Sequence, residues 1–343
     1  MRRPVSKNVL TRRRFIAVTA MAAAGVMTAA HGAPPAPVTW RGRAMGAETS
    51  ITLYPADLRQ GRELLAHCRN TIGRLESELS LYQPDSALCR LNHEGALEAA
   101  PDALLQVLGI AREIHDLTGG AFDVSVQPLW RLYADHFLKS DANPEGPAAA
   151  DISAARARVD ANAIEIRGRT IRLKRPHMSL TLNGIAQGYI TDQVAGLLRD
   201  AGMRHVLLDL GEFRALGPHP DGRPWRIGLR DPGVAWRLMD AVPLRQGAIA
   251  TSGGYGTVFD AAGRFHHLFD PETGGPARHY LSLSIQGPDA ARADALSTGL
   301  SALPPERAGA VLHALGVQWG GWFVLQDGEV RRHNWPPVQG TSL

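Results

Sequence analysis

The chain has 343 residues, 44% of them hydrophobic, which is enough to bury a sizeable core as one large domain or two. Its formal charge of +4 reflects 37 basic against 33 acidic residues, and six of the basic residues lie in the first fourteen positions. The rest of the chain is close to neutral, so we expect no nucleic-acid partner. The two cysteines, Cys68 and Cys89, are too few for a metal–thiolate cluster; they either form a disulfide or are small buried side chains.

Residues 1–33 have the pattern of an export signal. A positively charged start precedes an apolar run over 15–30, and small residues follow where a signal peptidase cleaves. The sequence Thr-Arg-Arg-Arg-Phe-Ile at 11–16 resembles the twin-arginine export motif, and an arginine-rich general secretory signal is the alternative. We therefore expect a periplasmic protein made of residues 34–343, with no stable membrane anchor after cleavage.

Hydrophobic spacing and turn residues predict the secondary structure of the remaining chain. In chain order, we expect strands over 38–54 (as a pair), 121–129, 164–173 (as a hairpin), 180–182, 205–211, 225–229, 239–244, 248–251, 257–259, 265–269 and 281–286, helices over 59–79, 102–117, 189–201 and 290–303, and a last helix and hairpin over 307–330. Strands and helices alternate without a regular βαβ period. This pattern favours an α+β fold with mixed, largely antiparallel sheets flanked by helices.

The stretch from Thr181 to Asp192, Thr-Leu-Asn-Gly-Ile-Ala-Gln-Gly-Tyr-Ile-Thr-Asp, turns from an extended apolar run through two glycines into a helix. Backbone N–H groups gather at a helix start, and the helix dipole adds roughly half a positive charge there. The stretch therefore predicts either a cradle for a phosphate-bearing ligand or an ordinary strand-to-helix turn.

Polar residues at three other turns are candidates for chemistry. Asp123 follows a helix-ending Gly-Gly pair and is a turn former or a binding residue. His266 and His267 precede an Asp-Pro turn, so they offer a general base, a metal ligand or a plain strand end. Asp294 and Thr298 share one face of a helix. A carboxylate and a hydroxyl suit Mg²⁺, which keeps waters and substrate phosphates as other ligands, and a helix-capping Asp is the alternative.

Taken in order, these stretches resemble the ApbE family of FAD:protein FMN transferases from about Met45 to about Leu303. The matching segments are 45–49, 79–82, 119–129, 183–189, 225–232, 250–253, 267–274 and 293–298. The resemblance implies an ApbE-like domain over 34–343, as one unit or as two lobes with the active site between them. It also implies an enzyme that uses Mg²⁺, cleaves the pyrophosphate of FAD, passes FMN to a Thr or Ser hydroxyl of an acceptor protein and releases AMP.

The resemblance further implies roles for individual residues. His267 matches the catalytic His of the family, with His266 as the alternative base. Asp294, Thr298 and the main-chain carbonyl of Gly184 match the magnesium ligands. The residues that match FAD-binding positions are Met45, Tyr82, Ala121, Phe122, Asp123, Thr181, Gln187, Thr251 and Ser252.

Two residues depart from the family pattern. Thr181 stands where the family has Asp, and Gln187 stands where it has Lys, so the chain lacks a cation near the phosphates; Arg214 and Arg230 are candidates to replace it. Together with the twin-arginine motif, this pattern resembles the NosX-type branch, which is associated with maturation of the nitrous oxide reduction system. Two other functions stay open: an FAD-binding protein without chemistry, and an FAD pyrophosphatase that releases FMN and AMP.

Overall fold

The structure is a computed structural model that describes residues 36–234 and 236–335. The predicted export signal lies outside the described residues. Within the described part of the chain, no helix is both long enough and apolar enough to cross a membrane. Both cysteines are free thiols, and burial raises the pKa of Cys68 to about 12. The disulfide is therefore excluded, and Cys68 is a core side chain.

Thirteen strands and eight helices are present in the described ranges. The strands are β1 (Val38–Ala44), β2 (Ala47–Leu53), β3 (Ala96–Leu97), β4 (Ile164–Arg167), β5 (Thr170–Leu173), β6 (Val206–Asp209), β7 (Phe213–Leu216), β8 (Trp225–Arg230), β9 (Leu238–Leu244), β10 (Gly247–Gly253), β11 (Tyr280–Gly287), β12 (Gly320–Leu325) and β13 (Val330–His333). The helices are α1 (Leu58–Leu79), α2 (Ala87–Glu94), α3 (Asp102–Leu117), α4 (Gln127–Phe137), α5 (Ala149–Arg156), α6 (Ala186–Asp200), α7 (Ala290–Leu300) and α8 (Pro305–Leu315).

One eight-stranded sheet organises the molecule, in the order β1-β2-β6-β7-β10-β11-β12-β13. A three-stranded sheet, β3-β5-β4, and the hairpin β8-β9 complete the β-structure of the described residues. Every pair of neighbouring strands is antiparallel. The predicted α+β fold with largely antiparallel sheets is confirmed.

Side chains alternate between the two faces of the large sheet, as a strand period of two requires. On β12, Phe323 joins the main core beneath α1, α3, α6 and α7, whereas Trp322 and Val324 join a second apolar cluster on the other face. Trp225 and Val242 of the β8-β9 hairpin belong to that second cluster. The sheet is thus covered by helices on one side and by a β-hairpin on the other.

Helices α6 and α7 pack unusually closely. A side chain at Gly188 would clash with the carbonyl oxygen of Ala290, so a glycine is required at this contact. The carboxylate of Asp192 on α6 accepts hydrogen bonds from the N–H groups of Ala290 (3.0 Å) and Ala291 (2.8 Å), and so caps the start of α7. These contacts bring the first half of α6 against the start of α7.

Two predicted strands are wrong. Residues 121–126 are irregular and α4 begins at Gln127, where Pro128 lies in the first turn and needs no N–H partner. Residues 180–182 are extended, but among the described residues they pair with no strand; Thr181 instead donates its N–H to the carbonyl of Val124 over 2.7 Å. The predicted strands over 257–259 and 265–269 are reduced to isolated bridges.

An aromatic cluster anchors the irregular segment that follows β10. Tyr133 of α4 lies 5.2 Å from Phe269 and 5.7 Å from Phe265, measured between ring centroids. Trp130 packs edge-on against Phe259 at 5.7 Å. Since aromatic pairs at these separations are attractive, the cluster fixes the position of 257–269 relative to α4.

Candidate active site

A cleft lies between four parts of the chain. They are the 121–126 loop, the start of α6, the end of β10 with the segment that follows it, and the middle of α7. Eleven of the thirteen residues predicted from the sequence to form the site line it: Ala121, Phe122, Asp123, Thr181, Gly184, Gln187, Thr251, Ser252, His267, Asp294 and Thr298. Residues far apart in the sequence therefore converge on one cavity. The largest apolar lining side chains are Phe122, Trp130 and Phe269, which suit a planar ring system.

Met45 and Tyr82 do not line this cleft. Met45 is 5% exposed, belongs to the main core and adopts a φ of 48° at the β1-β2 turn, where its N–H bonds to the carboxylate of Glu76. Tyr82 is 54% exposed and lines a neighbouring cavity. Its hydroxyl accepts a hydrogen bond of 3.2 Å from Asn183 Nδ2, and Asn183 lines both cavities. The hydrogen bond to Asn183 thus links Tyr82 to the cleft.

The carboxylate of Asp294 lies at the start of α6, where the sequence predicted a bound phosphate. Its carboxylate is 4% exposed and accepts the N–H of Gly188, in the first turn of α6, over 3.1 Å. The N–H groups of Ala186 and Tyr189 donate to Leu182 and Ile185 inside the same turn. The positive end of the α6 dipole is therefore directed at a protein carboxylate, and the predicted phosphate cradle is not available. Burial still raises the pKa of Asp294 to about 7.

Hydroxyl oxygens and the backbone of Gly184 gather around Thr298, which follows Asp294 by one turn of α7. Gly184 lies directly against Thr298, because a Cβ on Gly184 would come within 2.7 Å of Thr298 Oγ1. Ser252 Oγ lies 2.7 Å from Ser297 Oγ and 3.3 Å from Thr298 Oγ1. Carboxylate, hydroxyl and carbonyl oxygens are the hard donors that Mg²⁺ prefers.

Glu212 is a buried carboxylate in this cleft that the sequence reasoning did not assign. It follows β6, is 7% exposed and accepts the N–H of Thr251 at Oε2 over 3.2 Å. Burial, and after it the charge of Asp294, raises the pKa of Glu212 well above its usual range. The only available sequence signal was an acidic residue directly after the Gly211 turn at the end of a buried strand.

Four acidic side chains but neither Lys nor Arg line the cleft within residues 36–234 and 236–335; the acidic residues are Glu48, Asp123, Glu212 and Asp294. Of the two arginines expected to replace the missing cation, Arg214 pairs with Asp192 at 3.4 Å and donates to the carbonyl of Pro288. Arg230 lies on β8 and is not part of the lining. Neither arginine therefore lines the cleft in this structure.

His267 is the histidine of the His-His pair that faces the cleft. Its Nδ1 lies 3.2 Å from the carbonyl of Thr257, and its backbone N–H donates to the same carbonyl over 3.0 Å. Since a carbonyl can only accept, Nδ1 carries the proton in the neutral ring and Nε2 carries the lone pair. His266 is 8% exposed and lines a different cavity, and burial lowers its pKa.

Comparison with known proteins identifies the family of the chain. The model of the ApbE family matches residues 45–319. The chain belongs to the ApbE family. The FAD:protein FMN transferase of Salmonella typhimurium is 28% identical over 332 residues, covering 92% of this chain and 93% of that protein. The protein of the same name from Vibrio cholerae is 31% identical over 281 residues, covering 80% of this chain and 83% of that protein.

Solved ApbE structures share the fold. The ApbE protein of Thermotoga maritima superposes with a TM-score of 0.77 at 25% identity, covering 87% of this chain and 97% of that one. The flavin transferase ApbE of Vibrio cholerae superposes with a TM-score of 0.74 at 28% identity, covering 88% and 97%. The family predicted from the sequence motifs is confirmed, and the name shared by the relatives is that of an enzyme.

The structure also locates the two departures from the ApbE pattern. Gln187 lies against Gly211, where a Cβ would be 2.5 Å from its Nε2, and this buried Nε2 has no hydrogen-bond partner among the described residues. Thr181 Oγ1 accepts the N–H of Asn183 over 3.3 Å. Gln187 thus places an unused donor in the cleft, whereas Thr181 helps to shape the turn before α6.

Proposed function

We propose that this protein transfers FMN from FAD to a Thr or Ser hydroxyl of an acceptor protein, releases AMP and requires Mg²⁺. The composition of the cleft carries the proposal: a histidine with its lone pair at Nε2 shares one cavity with buried carboxylates and a hydroxyl, and neither Lys nor Arg of the described ranges lines it. The name of the curated ApbE relatives supports the same reaction.

The cleft residues fit a magnesium ion. Asp294 is buried and accepts a single N–H, so most of its lone pairs are left for another partner. A pyrophosphate entering a cleft lined by carboxylates needs a cation, and the lining of the described chain supplies none as a side chain. Asp294, Thr298 and the Gly184 carbonyl would hold the ion. Bound there, Mg²⁺ would neutralise charge on the phosphate oxygens during transfer.

The residues of the chain supply the remaining chemistry. His267 Nε2 accepts the proton of the acceptor hydroxyl, and the hydroxyl oxygen then forms a bond to the phosphorus of the FMN half. The phosphorus–oxygen bond of the pyrophosphate breaks, and AMP leaves with the bonding electrons. The Gln187 amide, whose Nε2 has no protein partner among the described residues, donates to a phosphate oxygen. Phe122 and Trp130 provide apolar surface for the ring systems.

We extend the proposal to the location of the protein and to its acceptor. The twin-arginine-like motif in residues 1–33 supports export to the periplasm, and the acceptor would be a periplasmic flavoprotein. The resemblance to the NosX-type branch supports a link to nitrous oxide reduction. Immunoblotting of periplasmic fractions, with Arg12 and Arg13 of the motif replaced by lysines as control, tests the export route.

The central test is incubation of the purified mature protein with FAD, Mg²⁺ and a Thr-bearing acceptor fragment, followed by mass spectrometry of the acceptor and chromatography of AMP. We expect one FMN per acceptor and an equal amount of AMP. His267→Ala should abolish transfer. His266→Ala is the matched control, since the neighbouring ring lines another cavity, and it should retain transfer.

Two outcomes would replace the proposal. AMP and free FMN formed at the same rate without acceptor would identify an FAD pyrophosphatase. FAD bound without AMP under any condition would identify a binding protein. If His267→Ala transfers FMN as fast as the wild type, the assignment of the base is wrong.

A further inference from the structure

Glu212 is the buried acidic residue that the proposed chemistry leaves without a role. Its side chain lines the same cleft as Asp294 and Thr298. The turn at Gly211, with a φ of 103°, sets its direction, and the N–H of Thr251 donates to its Oε2. Asp294 is near enough for its charge to act directly on Glu212. Two carboxylates that come from different elements of the fold therefore meet in one cavity.

A purely structural role does not account for this arrangement. Burying two like charges side by side is costly unless a cation compensates them. The lining of the cleft in the described ranges contains no Lys or Arg, and the charges that act on Glu212 are those of two other acidic residues, Asp294 and Asp209. A glutamine at position 212 would accept the same N–H of Thr251 at lower cost. An ionisable carboxyl at this position is therefore useful only if a cation enters and compensates its charge.

We propose that Glu212 is the second carboxylate of the magnesium site, so that one ion compensates Glu212 and Asp294 together. The inference rests on the proposed function, because it takes the Mg²⁺ requirement from there. Carboxylates on either side of a Mg²⁺ ion raise its affinity whether they bind the metal or one of its waters. Glu212 then has two effects of opposite sign: it destabilises the metal-free fold and strengthens metal binding.

Two substitutions separate these effects. Glu212→Gln removes the charge and keeps both the shape and the acceptor oxygen for Thr251. Asp209→Asn is the matched control, because Asp209 is a partly buried carboxyl group whose charge acts on Glu212, yet it does not line the cleft. Both variants replace one carboxyl group of the same neighbourhood by an amide, and only one of them changes the lining.

The experiment measures thermal unfolding of the purified mature protein, stripped of metal with EDTA and free of FAD, across a MgCl₂ titration, with calorimetric Mg²⁺ titration in parallel. We expect Glu212→Gln to need at least about tenfold more Mg²⁺ than the wild type for half of the stabilisation. Without metal it should unfold at a higher temperature than the wild type. Asp209→Asn should bind Mg²⁺ within about threefold of the wild type.

A wild-type Mg²⁺ midpoint in Glu212→Gln would overturn the inference. Equal shifts in Glu212→Gln and Asp209→Asn would also overturn it, because they would show a general effect of net charge. A wild type that does not respond to Mg²⁺ would remove the metal site and this inference with it. If the acceptor assay fails while the Glu212→Gln shift is found, the metal site stands and only the transfer reaction is lost.

Discussion

The 121–126 loop and the junction of α6 with α7 each place a buried carboxylate in the same cleft. The two carboxylates accept very different numbers of hydrogen bonds from the protein. Asp123 is 8% exposed and accepts three hydrogen bonds, from the N–H and hydroxyl of Ser125 (2.7 and 2.6 Å) and from the N–H of Ala161 (3.0 Å). Asp294 is 4% exposed and accepts one. The protein itself satisfies Asp123, whereas Asp294 is left for a ligand.

The number of hydrogen bonds that each carboxylate accepts distinguishes a structural role from a chemical one, although Asp123 and Asp294 both match site positions of the ApbE family. A carboxylate with a full set of protein donors holds a loop in place, and its removal should damage the fold. A buried carboxylate with few protein hydrogen-bond donors destabilises the fold, and its replacement should lower only the rate of the reaction. Substitutions in the two regions should therefore have opposite signatures.

The largest effect is expected on the catalytic side. Asp294→Asn should reduce FMN transfer at least about a thousandfold, which corresponds to roughly 4 kcal/mol, because the variant would lose a ligand of the proposed magnesium ion. The melting temperature of the metal-free protein should stay the same or rise. Single-turnover transfer assays and calorimetry of one preparation measure both. If Asp294→Asn lost activity because it unfolds, the proposed difference between Asp294 and Asp123 would be contradicted.

The next effect is expected on the structural side. Asp123→Ala should lower the free energy of unfolding by about 3 kcal/mol, because three buried donors lose their acceptor. Urea denaturation followed by tryptophan fluorescence measures this change. Asp294→Asn serves as its control and should not shift the midpoint downwards. A loss below about 0.5 kcal/mol in Asp123→Ala would show that the loop does not depend on this carboxylate.

A smaller effect tests the contact that places Asp294. Gly188→Ala should destabilise the protein by about 2 kcal/mol, since its Cβ would overlap the carbonyl oxygen of Ala290. Gly196→Ala on the same helix is the control, because only the tip of the Arg199 side chain lies within reach of a Cβ there. We expect that control to be neutral or slightly stabilising in the same denaturation assay.

The smallest effect concerns pH and a carboxylate outside the cleft. Burial raises the pKa of Asp209 to about 7. The folded chain therefore keeps this proton to a higher pH than the unfolded chain, and the associated stability is complete at acid pH and lost as the pH rises through about 7. Between about pH 6 and pH 8 the metal-free wild type should lose about 1 kcal/mol more than Asp209→Asn. Identical pH slopes would contradict the shift.

The helices with a clear apolar stripe were predictable from sequence. In α1, the side chains of Leu64, Cys68, Ile72, Leu75 and Leu79 recur at helical spacing, and all five are buried. Strand pairs with a recognisable turn, such as the one at Gly168, were equally clear. These elements are determined by local periodicity, which is visible in one sequence.

The errors arose where distant contacts decide the local structure. Residues 121–126 are rich in β-forming side chains, yet Asp123 binds the backbone at Ala161 and prevents a strand. Helices α2, α4 and α5 and strands β3 and β7 were not predicted. In α5 the spacing is weak, and only Ala155 is buried. The convergence of the site was expected only through the family resemblance, and Glu212, which no matched motif assigns, was missed.

The hydrogen bond from the N–H of Gly188 to Asp294 links the packing of the core to the assembly of the candidate site. The bond forms only when α6 docks on α7, so the candidate metal ligands come together in the same step as the main core. An unfolding intermediate that separates these helices would have no site at all. Amide hydrogen exchange at the start of α6 therefore reports, in one measurement, on the opening of the core and on the disassembly of the site.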